Sequence, residues 1–378
     1  MQGRIWSVTA LVLSVGLAAC GGSNSNNNPS SDPTTPAEKT TIKVPNSANP
    51  AFSFDISYTD SGKYYLADRN NASVDVVDTH TNALIGQIKG GFTGIGKTTD
   101  TSGPDGLVGI PGTSTLYAGD VNNIKVIDTA AQQVVGTIAV SDAGERVDEG
   151  CYDPDDDIVM FASPGDTPPF TTFISNKTRT IMSKLTFPTS SGLEACVYDP
   201  RTKSFLINND GTPANPEGEV DVIPAASVVA GTPGVSSVYP LGNCSPAGLA
   251  LGPDNDMLVG CDQPEGQKLT SLILDRTTGS TLATLPFGGV DQVTYDPVSN
   301  RYFLPARHET ANGVAASSGY TPLLGVVDGA SRKVIDQIPT GNGVHSVAVD
   351  GATNQVYVPF QPGATNFPIG GILVYNAH

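Results

Sequence analysis

"VDQVTYDPVSNRYFLP", residues 290–305, carries the plan of the whole chain. A short apolar run leads into Asp-Pro, a turn-forming pair, and a second run of β-branched and aromatic residues comes after it, which reads as two strands joined by a hairpin. Six more copies of the phrase occur: "FSFDISYTDSGKYYLA" from Phe52, "PDGLVGIPGTSTLYAG" from Pro104, "VDEGCYDPDDDIVMFA" from Val147, "LEACVYDPRTKSFLIN" from Leu193, "PAGLALGPDNDMLVGC" from Pro246 and "VHSVAVDGATNQVYVP" from Val344. Successive copies start 43 to 54 residues apart.

Each copy continues with a variable loop and a third strand that in several cases ends in aspartate: "VDVVD", "IKVID", "LILD", "LGVVD". A turn and a fourth strand come next, as in "TNALIGQI", "AQQVVGTI" and "RKVIDQI". Four strands at this period describe one antiparallel blade of a β-propeller, and no amphipathic helix of useful length interrupts them. The seventh copy has only three strands before the chain ends. "TTIKVP", Thr40 to Pro45, precedes the first full repeat without a partner and supplies the missing strand, so that no sheet edge stays open. The fold expected for residues 40–378 is therefore all-β: a seven-bladed β-propeller with the N-terminal strand closing the last blade.

"YLADRNNASVDVVDTHTNALIGQI" and "LYAGDVNNIKVIDTAAQQVVGTI" resemble YVTN-type repeats, which build seven-bladed propellers in exported and surface proteins. The likeness is close over the first third of the chain and architectural beyond it. The N-terminus points to the same compartment. Arg4, the apolar "WSVTALVLSVGLAA" and then "LAAC", Leu17 to Cys20, resemble the signal peptide and lipobox of bacterial lipoproteins. The resemblance implies a signal peptide over residues 1–19 and a lipidated Cys20. Gly21 stands where an aspartate retains some lipoproteins at the inner membrane, which implies an outer-membrane lipoprotein of the cell envelope, facing periplasm or exterior. Residues 20–39 hold no aliphatic side chain larger than alanine beyond Cys20, so they form a flexible tether about 25 Å in reach.

Four cysteines remain, and an even count in an exported chain suggests two disulfides. Cys244 and Cys261 flank one hairpin and form the first expected pair; Cys151 and Cys196 hold similar places in neighbouring repeats and form the second. The net charge of −17 excludes nucleic acid as a partner, because a phosphate backbone needs a cationic stripe. It also argues against broad contact with an anionic membrane, leaving the lipid anchor as the membrane attachment. A monomer is expected.

Two motifs are set aside. "GFTGIGKT", Gly91 to Thr98, matches the phosphate-loop pattern, but nothing after it can form the helix whose N-terminus would hold the phosphate. "YDPDDD", Tyr152 to Asp157, lacks the spacing of a calcium loop and lies where the hairpin turn falls.

The start of each first strand is more informative. First strands line a propeller's central channel, so equivalent residues there form a ring at one mouth. The aligned place holds Ser53, Asp105, Asp148, Glu194, Ala247, Asp291 and His345, with Glu149 adjoining and Asp55 nearby. Carboxylates crowded around a channel must be hydrated, protonated or neutralised by a cation. Asp105, Asp148, Glu149, Glu194 and Asp291 are thus candidate ligands of a divalent cation, Ca²⁺ or Mg²⁺ by their hardness, with His345 leaving room for Zn²⁺ or Mn²⁺; a hydrated acidic funnel is the alternative. Loops between second and third strands open on the same face and bring Asp68, Arg69, Asp120, Asn122, Asp210, Asp262, Arg307 and His308 toward it.

Such a mouth suits either of two functions. In the first, it binds a small-molecule ligand or protein partner and nothing turns over. In the second, the likeness in overall fold to lactonases and streptogramin lyases implies a metal-dependent hydrolase or lyase, with His345 or His308 as acid–base and Arg307 holding an anionic group. Neither a Ser-His-Asp nor a Cys-His arrangement can be assembled from the sequence.

Overall fold

The computed structural model describes residues 36–378. The signal-peptide and Cys20 readings lie outside these residues, as does most of the expected tether. Blade one is built from strands Ser57–Asp60, Lys63–Asp68, Ser73–Asp78 and Ala83–Ile88, and six further four-stranded antiparallel sheets repeat that order. The last is completed from the other end of the chain. Glu38–Ile42 pairs antiparallel with Gly371–Asn376, Thr40 opposite Val374 and Ile42 opposite Ile372, so the closing strand begins two residues earlier than the sequence suggested.

The innermost strands of the remaining blades are Leu107–Gly109, Gly150–Asp153, Leu193–Asp199, Pro246–Leu251, Thr294–Asp296 and Ala348–Asp350. Each touches the next, and Ala348–Asp350 returns to Ser57–Asp60, so the ring is closed around a channel. Helix is confined, among the described residues, to one turn at Ala225–Val229 and a 3₁₀ turn at Thr99–Thr101. The phosphate-loop-like segment thus leads into a single 3₁₀ turn and no α-helix.

The core is divided into slabs between neighbouring blades instead of a single centre. Met160 and Phe173 of blade three pack on Phe205 and Ile207 of blade four, and Ile42 and Val374 of the closing sheet pack on Tyr64 and Leu66 of blade one. A blade's middle strands are therefore buried on both faces, which is why "YYLAD" and "VDVVD" are nearly continuous in apolar residues. The outermost strands alternate: Thr180–Thr186 and Lys333–Pro339 expose every second residue to water.

Aspartates punctuate the hairpins as turn formers. Asp153, Asp199, Asp296 and Asp350 each accept hydrogen bonds from backbone N–H groups two and three residues on, and Asp78, Asp128 and Asp275 do the same between third and fourth strands. "YDPDDD" is such a turn, with Asp157 in the left-handed region at its end. Both disulfides form as expected. Cys244–Cys261 lies within blade five, whereas Cys151–Cys196 joins the innermost strands of blades three and four.

Candidate functional site at the channel mouth

Backbone bonds define which residues share one place in the ring. The N–H groups of Asp55, Asp105 and Asp148 donate to the carbonyls of Ala67, Gly119 and Ala162 at 2.8, 3.0 and 2.9 Å, in each case at the end of the second strand. Asp55, and not Ser53, thus holds the place in blade one. The reason is the hairpin: two residues separate Asp60 from Lys63, but four separate Asp153 from Ile158, so ungapped alignment on the second strand slips by two. A slip of two keeps the same face, which hid it. Six of the seven places are therefore ionisable, with only Ala247 neutral. Gly106 lets the blades close at this point, since a Cβ there would lie 1.8 Å from the carbonyl oxygen of Asp148.

The ring does not stand as a bare set of carboxylates. Arg69, at the end of blade one's second strand, donates to Asp55 at 2.6 Å and to Asp105 through Nε at 2.6 Å. Arg146, two residues before Asp148, reaches it at 2.8 Å and Asp100 at 3.1 Å. Arg307 reaches Asp291 at 2.7 Å and lies 3.7 Å from Asp262. Arg69 and Arg307 were visible in the sequence as residues just beyond a second strand, but their partners were not, and Arg146 escaped notice altogether. A basic residue at i−2 from the ring place, on the same face of an extended chain, was the available signal.

Four carboxylates of the mouth are left over from these pairings or share only one cation, Glu149, Glu194, Asp210 and Asp291, and one oxygen each of Glu149, Glu194 and Asp291 lies within 4.8 Å of the others. Among the described residues these last three are the only group of three or more His, Cys, Asp or Glu side chains placed to hold a metal ion. Of the five candidate ligands, the structure brings these three together and places Asp105 and Asp148 in ion pairs. Glu149 takes one hydrogen bond, from the side-chain amide of Gln292, and Glu194 makes none within the protein.

Burial is the main cause of the mouth's unusual titration. It pushes Glu149 and Glu194 well above the usual carboxylate range, reinforced by neighbouring acids. Asp148 is pushed up to about 7 by burial against the pull of Arg146, and Asp210 to about 6. Asp105 rises for the same reason, although Arg69 opposes it. Burial acts on Asp55 too, but Arg69 and His345 outweigh it and hold this carboxylate below its ordinary range.

The two candidate acid–base histidines differ in their surroundings. His345 is 7 % exposed, stacks on Phe54 at 4.6 Å, and has Nδ1 at 2.6 Å from the Gly343 carbonyl and Nε2 at 3.5 Å from Asp55. Both of its nitrogens therefore face protein groups. His308 has Nδ1 at 2.8 and 2.9 Å from the two carboxylate oxygens of Asp262. An ionised carboxylate only accepts, so Nδ1 carries the proton and Nε2 is left to act as a base when the ring is neutral. His308, Asp262 and Arg307 line the same cavity as the ring, about 590 Å³ in volume, where seven carboxylates face three guanidinium groups.

No family model matches the sequence, and no curated protein matches it. Among solved structures the chain is similar to Kuenenia stuttgartiensis hydrazine synthase, with a TM-score of 0.66 over 85% of this chain and 94% of that one at 16% identity. It is also similar to the computationally designed Ika8 protein, with a TM-score of 0.55 over 86% and 83% of the two chains at 13% identity. At such identities the likeness is one of fold, and the seven-bladed propeller is all that it supports.

Proposed function

We propose that this propeller is a binding module of the cell envelope whose channel mouth takes up a positively charged group between Glu149, Glu194 and Asp291. The observation behind this is the imbalance at the mouth: three carboxylates converge there, and Arg307, on Asp291, is the one cation paired with them. A divalent cation, Ca²⁺ or Mg²⁺ with Zn²⁺ or Mn²⁺ behind them, is the simplest neutraliser, and a cationic ligand or protein partner meets the same need. The YVTN-type likeness of the first repeats, the lipobox at Cys20 and the two disulfides support an exported, lipid-tethered placement at the outer membrane.

The titration of the mouth yields the test. Carboxyls whose folded pKa lies above the unfolded value keep protons that the unfolded chain gives up, so they destabilise the fold as pH rises from about 4 through their folded values. Asp148, near 7, and Asp210, near 6, place most of that change between pH 4 and 7, with Glu149 and Glu194 acting in the same direction. The melting temperature is expected to fall from pH 5 to pH 8. Added Ca²⁺ or Mg²⁺ should recover it at pH 8 and do little at pH 5, where protons compete. Calorimetry over that range, with elemental analysis before and after chelation, checks it. A flat or rising profile that Glu149→Gln leaves unchanged sinks the proposal.

One observation favours a second reading, as a hydrolase: the Asp262–His308 pair on the wall of the same cavity. Arg307 links it to Asp291, so a base and a cation site would share one substrate. In a screen of lactones and esters with added metals, this reading expects chelator-sensitive turnover that His308→Asn lowers by about 10² or more. Turnover indifferent to both changes excludes it.

A further inference from the structure

The mouth cavity does not end at the ring. A second cavity of about 610 Å³ shares Arg146, Glu194 and Asp210 with it and runs outward between two loops, residues 164–169 of blade three and 188–192 entering blade four. Its walls are stiffened by Pro164, Pro168, Pro169 and Pro188. Along it lie Asp100 and Asp166, while its one cation, Arg146, is already held by Asp100 and Asp148. One carboxylate oxygen of Asp166 is buried without a partner. At the inner end Glu149, 6 % exposed, lines the mouth cavity with the neutral Gln292 amide as its side-chain partner. The Cys151–Cys196 bridge joins the two blades that carry these walls, with Cα atoms 5.7 Å apart, so the cleft is preformed.

The three carboxylates lie close enough to hold an ammonium as well as a metal ion. Three acceptors around an ammonium, about 2.8 Å away along tetrahedral directions, stand about 4.6 Å apart. That falls inside the 4.8 Å that bounds the separations of the three ligand oxygens. Mg²⁺ or Ca²⁺, at about 2.1 to 2.6 Å, draws its oxygens to about 3 to 3.6 Å, which the same bound admits, but it leaves the cleft without a role. A lysine ammonium has three N–H donors for three carboxylates and sits on a flexible four-carbon stem, and Glu194 of the triad lines both the mouth and the cleft.

Building on the cation-binding mouth, we propose that the ligand is an extended polypeptide segment. Its lysine ammonium sits among Glu149, Glu194 and Asp291, and its backbone lies in the acidic, proline-walled cleft between blades three and four. The test is titration calorimetry of the purified protein with acetyl-Ala-Ala-Lys-Ala-Ala-amide, its norleucine analogue, and Ca²⁺ alone. The lysine peptide is expected to bind and the norleucine peptide to bind about tenfold more weakly or worse, as loss of a charge-assisted hydrogen bond requires. Glu194→Gln should weaken the lysine peptide to a similar degree. Ser191→Trp, at an exposed residue of the cleft wall, should weaken the peptide while leaving Ca²⁺ binding as it was. Ca²⁺ binding without peptide binding overturns this inference and leaves the cation-binding mouth standing. Binding of neither overturns both. Equal binding of the two peptides, or a peptide indifferent to Ser191→Trp, also overturns it.

Discussion

Arg69→Met is expected to destabilise the protein by about 3–5 kcal/mol, the cost of leaving buried charge without its partner. Arg69 is 5 % exposed and is shared by Asp55 and Asp105, the latter wholly buried with one carboxylate oxygen already lacking a partner. Methionine matches the length of the arginine stem, so the loss comes from electrostatics more than from packing. Without the guanidinium both carboxyls rise in pKa. Raised folded values mean stability lost as pH increases, so the deficit should be largest at pH 8 and shrink toward pH 5. Asp105→Asn in the Arg69→Met background should recover part of it by removing one of the stranded charges. Equilibrium urea denaturation of the single and double variants at both pH values measures this. A deficit below about 1 kcal/mol, in the range of a surface ion pair, would show that the network is not closed to water.

Loss of the Cys151–Cys196 bridge, as Cys151→Ala with Cys196→Ala, is expected to cost about 4 kcal/mol, against about 3 for the Cys244–Cys261 pair. The chain-entropy model gives these values for sequence separations of 45 and 17 residues. The two bridges should also differ in pH dependence, which loop length does not predict. Glu149 and Glu194 each stand two residues before a bridged cysteine, about 6.6 Å along an extended strand. As they ionise they repel, and no ladder hydrogen bonds join the innermost strands of blades three and four to resist that. Without the bridge the strands can part and relieve this repulsion, so the cost of removing Cys151–Cys196 should shrink from pH 5 to pH 8, while that of removing Cys244–Cys261 stays level. Glu194→Gln should flatten the first profile. Parallel profiles for the two bridges would remove the link between the staple and the mouth.

Much of the candidate site was legible as a set of positions. Asp105, Asp148, Glu194, Asp291 and His345 were found because the copies place them alike, and the hairpin register confirms the alignment in those blades. Asp55 was displaced because its blade turns in two residues where others take four. The pairing of each carboxylate was less accessible. Arg69 lies 36 residues before Asp105, its partner in the next blade. His308 meets Asp262 across 46 residues, from the loops of blades six and five. Repeats specify the residues that stand at the mouth, but side chains that reach sideways between blades carry no period.

The amino-acid sequence by itself determined the blade count, the four strands in each and the closing role of the N-terminal segment, and it suggested the two disulfides whose pairing the structure then settled. All of these rest on local pattern or on a repeat that recurs at a readable interval, so one copy corrects another. The tertiary structure alone decided which carboxylates are neutralised by Arg69, Arg146 and Arg307 and which three are left to face one another. That outcome depends on distances of a few ångströms between residues from different blades, where burial and Coulomb attraction act through space and leave no trace in chain order.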